Sequence, residues 1–130
     1  MEHRVSYKVY YEDTDCLGMV YHANYLKFME RGRTECVTAS GRSVADWNRA
    51  GIAVVVYAMN LKFKKPAALG DTVDVVSTFR IDSEYRGTFR QRVERAGELL
   101  VMADVEIVCI DRGQKLCPMP EELKMLAGTD

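Results

Sequence analysis

Residues 4–36 read RVSYKVYYEDTDCLGMVYHANYLKFMERGRTEC, and inside this stretch the apolar period changes from two to 3.6. Val5, Tyr7, Val9 and Tyr11 alternate with Arg4, Ser6, Lys8 and Tyr10. Period two in β-branched and aromatic residues predicts a strand over residues 4–11. The turn formers Glu12 to Gly18 interrupt it. From about Ala23, Tyr25, Phe28, Met29, Gly32 and Cys36 recur at i, i+3, i+4, i+7 and i+11, which is one helical face. Lys27, Glu30, Arg31 and Glu35 take the other side. Glu30, Arg31 and Arg33 read as a solvated face, or as ion-pair partners for one another or for a second subunit. Gly41 is placed to end the helix as a left-handed cap. Gly32 costs about 1 kcal/mol relative to Ala inside a helix, so close packing against the backbone is expected there.

Outward from this helix, Ser43 is a good N-cap for a short second helix through Val44, Trp47 and Ala50 to Gly51. Ile52 to Ala58 is a continuous apolar run, as in a strand buried on both faces, and it continues through Leu61 and Phe63 to a break at Pro66. Alternation resumes from Thr72 to Ile81, and Thr88 to Arg95 reads as a further strand. Ala96-Gly97 makes a tight turn into Leu99 to Ile110, and a short polar helix runs from Glu121 to Leu126. Strands in succession after a long helix predict an α+β domain whose antiparallel sheet wraps one central helix. No linker, repeat or composition shift divides the chain, so residues 1–130 are expected to form a single domain.

Composition bounds the function. With 130 residues, 48% hydrophobic and 28% charged, the chain can bury roughly two thirds of its unfolded surface in a core. Eighteen basic against 19 acidic residues leave a formal charge of −1, which disfavours a nucleic-acid partner. No apolar run reaches the roughly 20 residues of a transmembrane segment. The N-terminus is polar and alternating, unlike a signal peptide. Cys16, Cys36, Cys109 and Cys117 show no C-x-x-C spacing, and reduced thiols in a cytoplasmic protein are the expectation. With only His3 and His22, a metal site is not expected.

The chemistry concentrates between Tyr10 and Glu35. Asp13 and Asp15 stand in the turn, and His22 and Asn24 stand where the helix begins. A helix start offers unpaired N–H groups and the positive end of a dipole. A carboxylate beside it could serve acyl transfer or hydrolysis, though Asp and Asn are also ordinary caps and turn formers. Cys16 with His22 as base is a rival nucleophile, lacking an evident orienting acid.

The spacing D-T-D-C-L-G-M-V-Y-H-A-N-Y followed by E-R-G-R-T-E resembles hotdog-fold acyl-CoA thioesterases. Within these it is similar to the 4-hydroxybenzoyl-CoA thioesterase family, and there to its Tol-Pal-associated acyl-CoA thioesterases. Asp15, Gly18, Tyr21, His22, Asn24 and Tyr25 match that pattern; Phe63 to Pro66, Arg86-Gly87-Thr88 and the late Pro-x-Pro also have counterparts. The resemblance implies a hotdog fold and hydrolysis of an acyl-CoA to a carboxylic acid and free coenzyme A. It implies no cofactor, coenzyme A being part of the substrate.

By the same resemblance Asp15 is the catalytic carboxylate, attacking the carbonyl or activating water. The N–H of His22 is the oxyanion donor, a contribution of about 3 kcal/mol. The His22 imidazole would orient substrate or Asp15, or simply begin the helix. Tyr11 would hydrogen-bond near the carboxylate, a core tyrosine being the alternative. Tyr21, Asn24 and Tyr25 would contact substrate, with Asn24 also satisfying loop backbone and Asp13 bracing the turn. Coenzyme A phosphates call for a basic patch; Arg86 and Arg90 are named from a set that includes Arg92, Arg95, Lys62, Lys64 and Lys65. A homo-oligomer is implied, a dimer or dimer of dimers with shared sites, and envelope or lipid-synthesis proteins as partners. The alternative is a non-catalytic acyl-thioester-binding or envelope-associated scaffold.

Overall fold

The long helix α1 spans Asn24–Ala39 and buries Tyr25, Phe28, Met29, Gly32 and Cys36, the face its periodicity marks, with Val37 beside them. The structure is a computed structural model and describes residues 2–128. Five strands follow the predicted order around α1: β1 (His3–Lys8), β2 (Ala53–Phe63), β3 (Thr72–Ile81), β4 (Arg86–Arg95) and β5 (Glu98–Ile110). They form one antiparallel sheet in the order β1-β3-β4-β5-β2. Two short helices, α2 (Val44–Arg49) and α3 (Glu121–Leu126), pack against α1, α2 also touching β2 and α3 touching β3. This is the α+β arrangement expected, an antiparallel sheet around one long helix.

Local chemistry explains the joints. Ser43 caps α2 reciprocally: its Oγ accepts from the Asp46 N–H at 3.1 Å, and Asp46 Oδ2 accepts from the Ser43 N–H at 2.8 Å. Ala96 and Gly97 both take positive φ, 49° and 82°, the geometry of a two-residue hairpin turn between β4 and β5. Gly41 lies just past α1 with φ 131°, positive but wider than the left-handed helical value expected of it.

Two strand readings need correction. β1 ends at Lys8, and Tyr11–Asp13 form a 3₁₀ turn instead of continuing the strand. β2 is not buried on both faces. It is the outermost strand beside β5, and Val55, Val56 and Tyr57 are exposed. An apolar run records what a strand can bury, whereas its place in the sheet order records what this chain offers to bury it.

Gly32 earns its place through contact. A Cβ there would lie 2.5 Å from Val75 Cγ1 and 3.4 Å from Gln91 Nε2. Val75 is fully buried on β3, so the methyl has nowhere to go. Overpacking of this kind costs about 1–3 kcal/mol, against about 1 kcal/mol of helix propensity gained by Ala. Gly32→Ala is therefore expected to lower stability despite the propensity gain, by up to about 2 kcal/mol, measured by urea unfolding. A more stable variant would mean that α1 can rise from the sheet at no cost.

Partly exposed ion pairs make stability depend on acid. Trp47 Nε1 at 2.9 Å and then Arg42 Nε at 2.6 Å donate to Glu122 Oε1 and hold its carboxyl below the ordinary value of 4.5. Arg92 first and Arg4 next do the same for Glu94. A carboxyl depressed in the fold stabilises it above the unfolded value and loses that contribution as protons return. The midpoint of thermal unfolding is thus expected to fall as pH drops below 4.5. Glu122→Gln should flatten part of that decline.

Candidate functional site

The loop between the 3₁₀ turn and α1 is organised by two aspartates with different tasks. Asp13 is buried; its Oδ2 accepts from the Tyr10 N–H at 2.9 Å. Its backbone carbonyl accepts from the Tyr21 N–H at 3.0 Å and from Asn24 Nδ2 at 2.9 Å. These bonds tie the start of α1 to the loop, and they commit the Asn24 side chain to the backbone. Asp15 is exposed. Its Oδ1 accepts from the N–H groups of Leu17 at 2.8 Å and Met19 at 3.2 Å, while its own N–H donates to the Met19 carbonyl at 2.7 Å. One carboxylate oxygen is thereby fixed by the loop, and Oδ2 accepts no hydrogen bond among the described residues. Gly18 completes the tight loop with φ 77°. The loop is docked on the segment before β3 by Val20 N–H to Ala67 O at 2.9 Å and Leu69 N–H to Gly18 O at 2.9 Å.

At the start of α1 the Asn24 N–H donates to Tyr21 O at 2.8 Å and the Tyr25 N–H to His22 O at 3.4 Å. The N–H groups of His22 and Ala23 meet no acceptor among the described residues. They are the unspent donors of a helix N-terminus, where partial positive charge is concentrated.

A cleft of about 230 Å³ opens beside them, lined by Val20, His22, Tyr25, Phe63, Lys64 and Lys65. Tyr25 is buried and its hydroxyl accepts from the Ala67 N–H at 2.9 Å, which fixes the ring as the cleft's inner wall. Burial is the main reason its phenol is pushed up from the ordinary value of 10.0. The Phe63 ring lies 5.8 Å from Tyr25 and 6.3 Å, edge-on, from His22; Tyr21 stands 4.4 Å from His22 and is exposed. The imidazole itself makes no hydrogen bond among the described residues.

The structure thus places His22 and Tyr25 in the lining of one cleft, with Tyr21 against His22 outside that lining, and holds Asp15 in the preceding loop. Tyr11 is elsewhere. The residue is 80% exposed and its hydroxyl bonds no carboxylate among the described residues. It is neither a core tyrosine nor a neighbour of Asp15 by hydrogen bonding. Arg86 and Arg90 lie on the opposite face of the sheet. Gln91, next along β4, reaches inward to the Met29 carbonyl at 2.9 Å, so Arg90 points away from α1. Arg90 Nε is 3.1 Å from Asp104 Oδ1, and Arg86 stacks over Tyr57 at 5.3 Å. The cations at the cleft are instead Lys64 and Lys65, the latter 2.6 Å from Glu98. Phe63 was not singled out for the site; its place in the stretch that runs to Pro66 was the available signal. Cys16 is exposed, with no hydrogen bond from its thiol to a base among the described residues. Among the described residues no three His, Cys, Asp or Glu side chains converge as metal ligands, and no helix is long and apolar enough to cross a membrane.

Comparison with known proteins places this geometry in context. The sequence profile of the Thioesterase-like superfamily matches residues 9–125. An acyl-CoA thioester hydrolase, YbgC, of Escherichia coli is 39% identical over 108 residues, covering 80% of this chain and 78% of that protein. The acyl-CoA thioesterase YbgC of Haemophilus influenzae is 37% identical over 122 residues, covering 90% and 88%. In fold, a crystal structure of a 1,4-dihydroxy-2-naphthoyl-CoA thioesterase from Synechocystis superposes with a TM-score of 0.91 over 98% of this chain and 96% of that one, at 23% identity.

Proposed function

The chain belongs to the Thioesterase-like superfamily and is a thioester hydrolase, and from that premise we propose that it cleaves acyl-CoA thioesters through Asp15 and the start of α1. The observation that carries this reading is the Asp15 carboxylate, anchored through Oδ1 with Oδ2 free, in the loop leading to the unpaired N–H groups of His22 and Ala23. In one course Oδ2 attacks the carbonyl carbon, the thiolate of coenzyme A departs, and water then hydrolyses the mixed anhydride. In the other, Oδ2 takes a proton from water as the oxygen attacks, and the same thiolate leaves. In both, negative charge gathers on the carbonyl oxygen, and the His22 N–H is the donor that meets it. A thiolate leaves readily, which suits a site with one carboxylate.

The cleft between Tyr25 and Phe63 is the natural seat for groups flanking the thioester, with Lys64 and Lys65 as cations toward coenzyme A phosphates. The unpartnered edge of β2, with Val55, Val56 and Tyr57 exposed, supports pairing with a second copy. A panel of short, medium and long aliphatic, benzoyl and hydroxybenzoyl CoA esters, read by thiol release, tests the reaction. Hydrolysis of at least one ester is expected, and the best one identifies the acyl class. A flat panel from folded protein would instead favour a non-catalytic acyl-thioester-binding or scaffold role.

A further inference from the structure

Half-buried arginines in this protein are neutralised, with one exception. Arg42 pairs with Glu122 at 2.6 Å, Arg92 with Glu94 at 2.9 Å and Arg95 with Asp71 at 2.7 Å. Arg33, on the side of α1 read from sequence as solvated, is half-buried and has no carboxylate within 4.0 Å among the described residues. Its Nη1 donates to Gln91 Oε1 at 2.9 Å. Gln91 is fully buried and immobilised in turn, its Nε2 donating to the Met29 carbonyl and to Ser77 Oγ, both at 2.9 Å. The guanidinium is therefore tethered to the sheet through Nη1, with most of its five N–H donors uncommitted. Burial pushes its pKa down, and the nearby Glu30 charge offsets only part of that push.

Arg33 lines a cavity of about 180 Å³ between α1, α2 and the sheet, whose other walls include Val37, Trp47, Val54, Phe89 and Ile107. It lies nine residues beyond Asn24, about 14 Å of helical rise, so it is separate from the cleft at His22. Glu30 lines the same cavity; its Oε1 accepts from Thr34 Oγ1 at 3.2 Å, and it makes no ion pair with Arg33 within 4.0 Å, acting on it only at longer range. An apolar cavity of about 150 Å³ accepts benzene; one of this size with a tethered guanidinium on its wall suits an apolar body of about six carbons that ends in a carboxylate.

We infer that this cavity is a binding site for small monocarboxylates with a short alkyl or aryl body, the carboxylate on Arg33 and the body against Trp47 and Phe89. Such acids are of the class the proposed hydrolysis would release, and that link alone rests on the proposed reaction. The binding site stands without it.

Trp47 is the only tryptophan in the chain and is buried at the cavity wall, so its fluorescence reports occupancy directly. Hexanoate or benzoate titrated into the wild-type protein is expected to give a saturable change, with hexanol or benzyl alcohol binding about tenfold more weakly. Arg33→Met should weaken the acids by about tenfold to the level of the alcohols, and Glu30→Gln should tighten them. No saturable response, equal binding of acid and alcohol, or acid binding unchanged in Arg33→Met would each overturn the assignment. Should Arg33→Met fail to fold, the acid–alcohol comparison on the wild type decides alone. Because this readout is binding and not turnover, its failure is distinguishable from failure of the thioesterase reading.

Discussion

Asp15→Asn is expected to lower kcat by about 10²–10⁴-fold while leaving the fold in place. The substitution is nearly isosteric, and the amide oxygen can still accept from the Leu17 and Met19 N–H groups that hold the loop. What disappears is the negative charge on the free oxygen, and with it the ability to attack a carbonyl or to take a proton from water. Activity should therefore fall without a matching fall in thermal stability. Asp15→Ala also removes the loop's acceptor, so it should disorder residues 15–19 and confound the two effects; Asn is the cleaner probe. Thiol release on the best CoA ester, beside circular dichroism melts, separates them. Wild-type turnover by folded Asp15→Asn would remove Asp15 from the mechanism and return attention to Cys16.

Trp47→Ala should cost about 3–5 kcal/mol of stability, the range for truncating a buried large aromatic. Trp47 is 1% exposed, sits on α2 and reaches α3 through Glu122 Oε1 at 2.9 Å. Its removal empties the space between two short helices, of which α2 buries no other residue while α3 keeps Leu123 and Leu126 in the core. It also leaves Glu122 with Arg42 alone. Trp47→Phe keeps most of the ring and loses the N–H donor, so about 1–2 kcal/mol is expected there. Urea unfolding followed by circular dichroism gives both values, since the fluorophore itself is gone. A loss under about 1 kcal/mol for the alanine variant would mean that α2 and α3 contribute little to the cooperative unit.

Much of the fold was legible because its signals are local. The spacing of Tyr25, Phe28, Met29, Gly32 and Cys36 defines an apolar stripe at helical period whatever surrounds it. Ser43 and the Ala96-Gly97 pair mark a cap and a turn through backbone chemistry within four residues. Gly32 announced a close approach because a helix-weakening residue needs compensation; its partner, Val75, lies 43 positions further on and no local pattern names it. The site divides in the same way. Asp15, His22 and Tyr25 fall within eleven consecutive residues, so loop and helix start bring them together by chain connectivity. Phe63, Lys64 and Lys65 reach the cleft only because the chain leaving β2 passes beside α1. Arg86 and Arg90 carry the right charge, but the strand's alternation places them on the sheet's other face.

Sequence by itself determined the elements of this protein, their order, and the face each would try to bury, since those follow from side-chain periodicity and turn chemistry. Tertiary structure alone decided which strand stands at the edge and which charge goes without a partner. The apolar run of β2 is the same string of residues whether both its faces are covered or, as at this outermost strand, part of it stays exposed. Arg33 is a solvated arginine by pattern and a desolvated one by place. Neighbours drawn from distant parts of the chain set the local dielectric and the supply of partners, and those two quantities decide what an open strand edge or a half-buried charge can do.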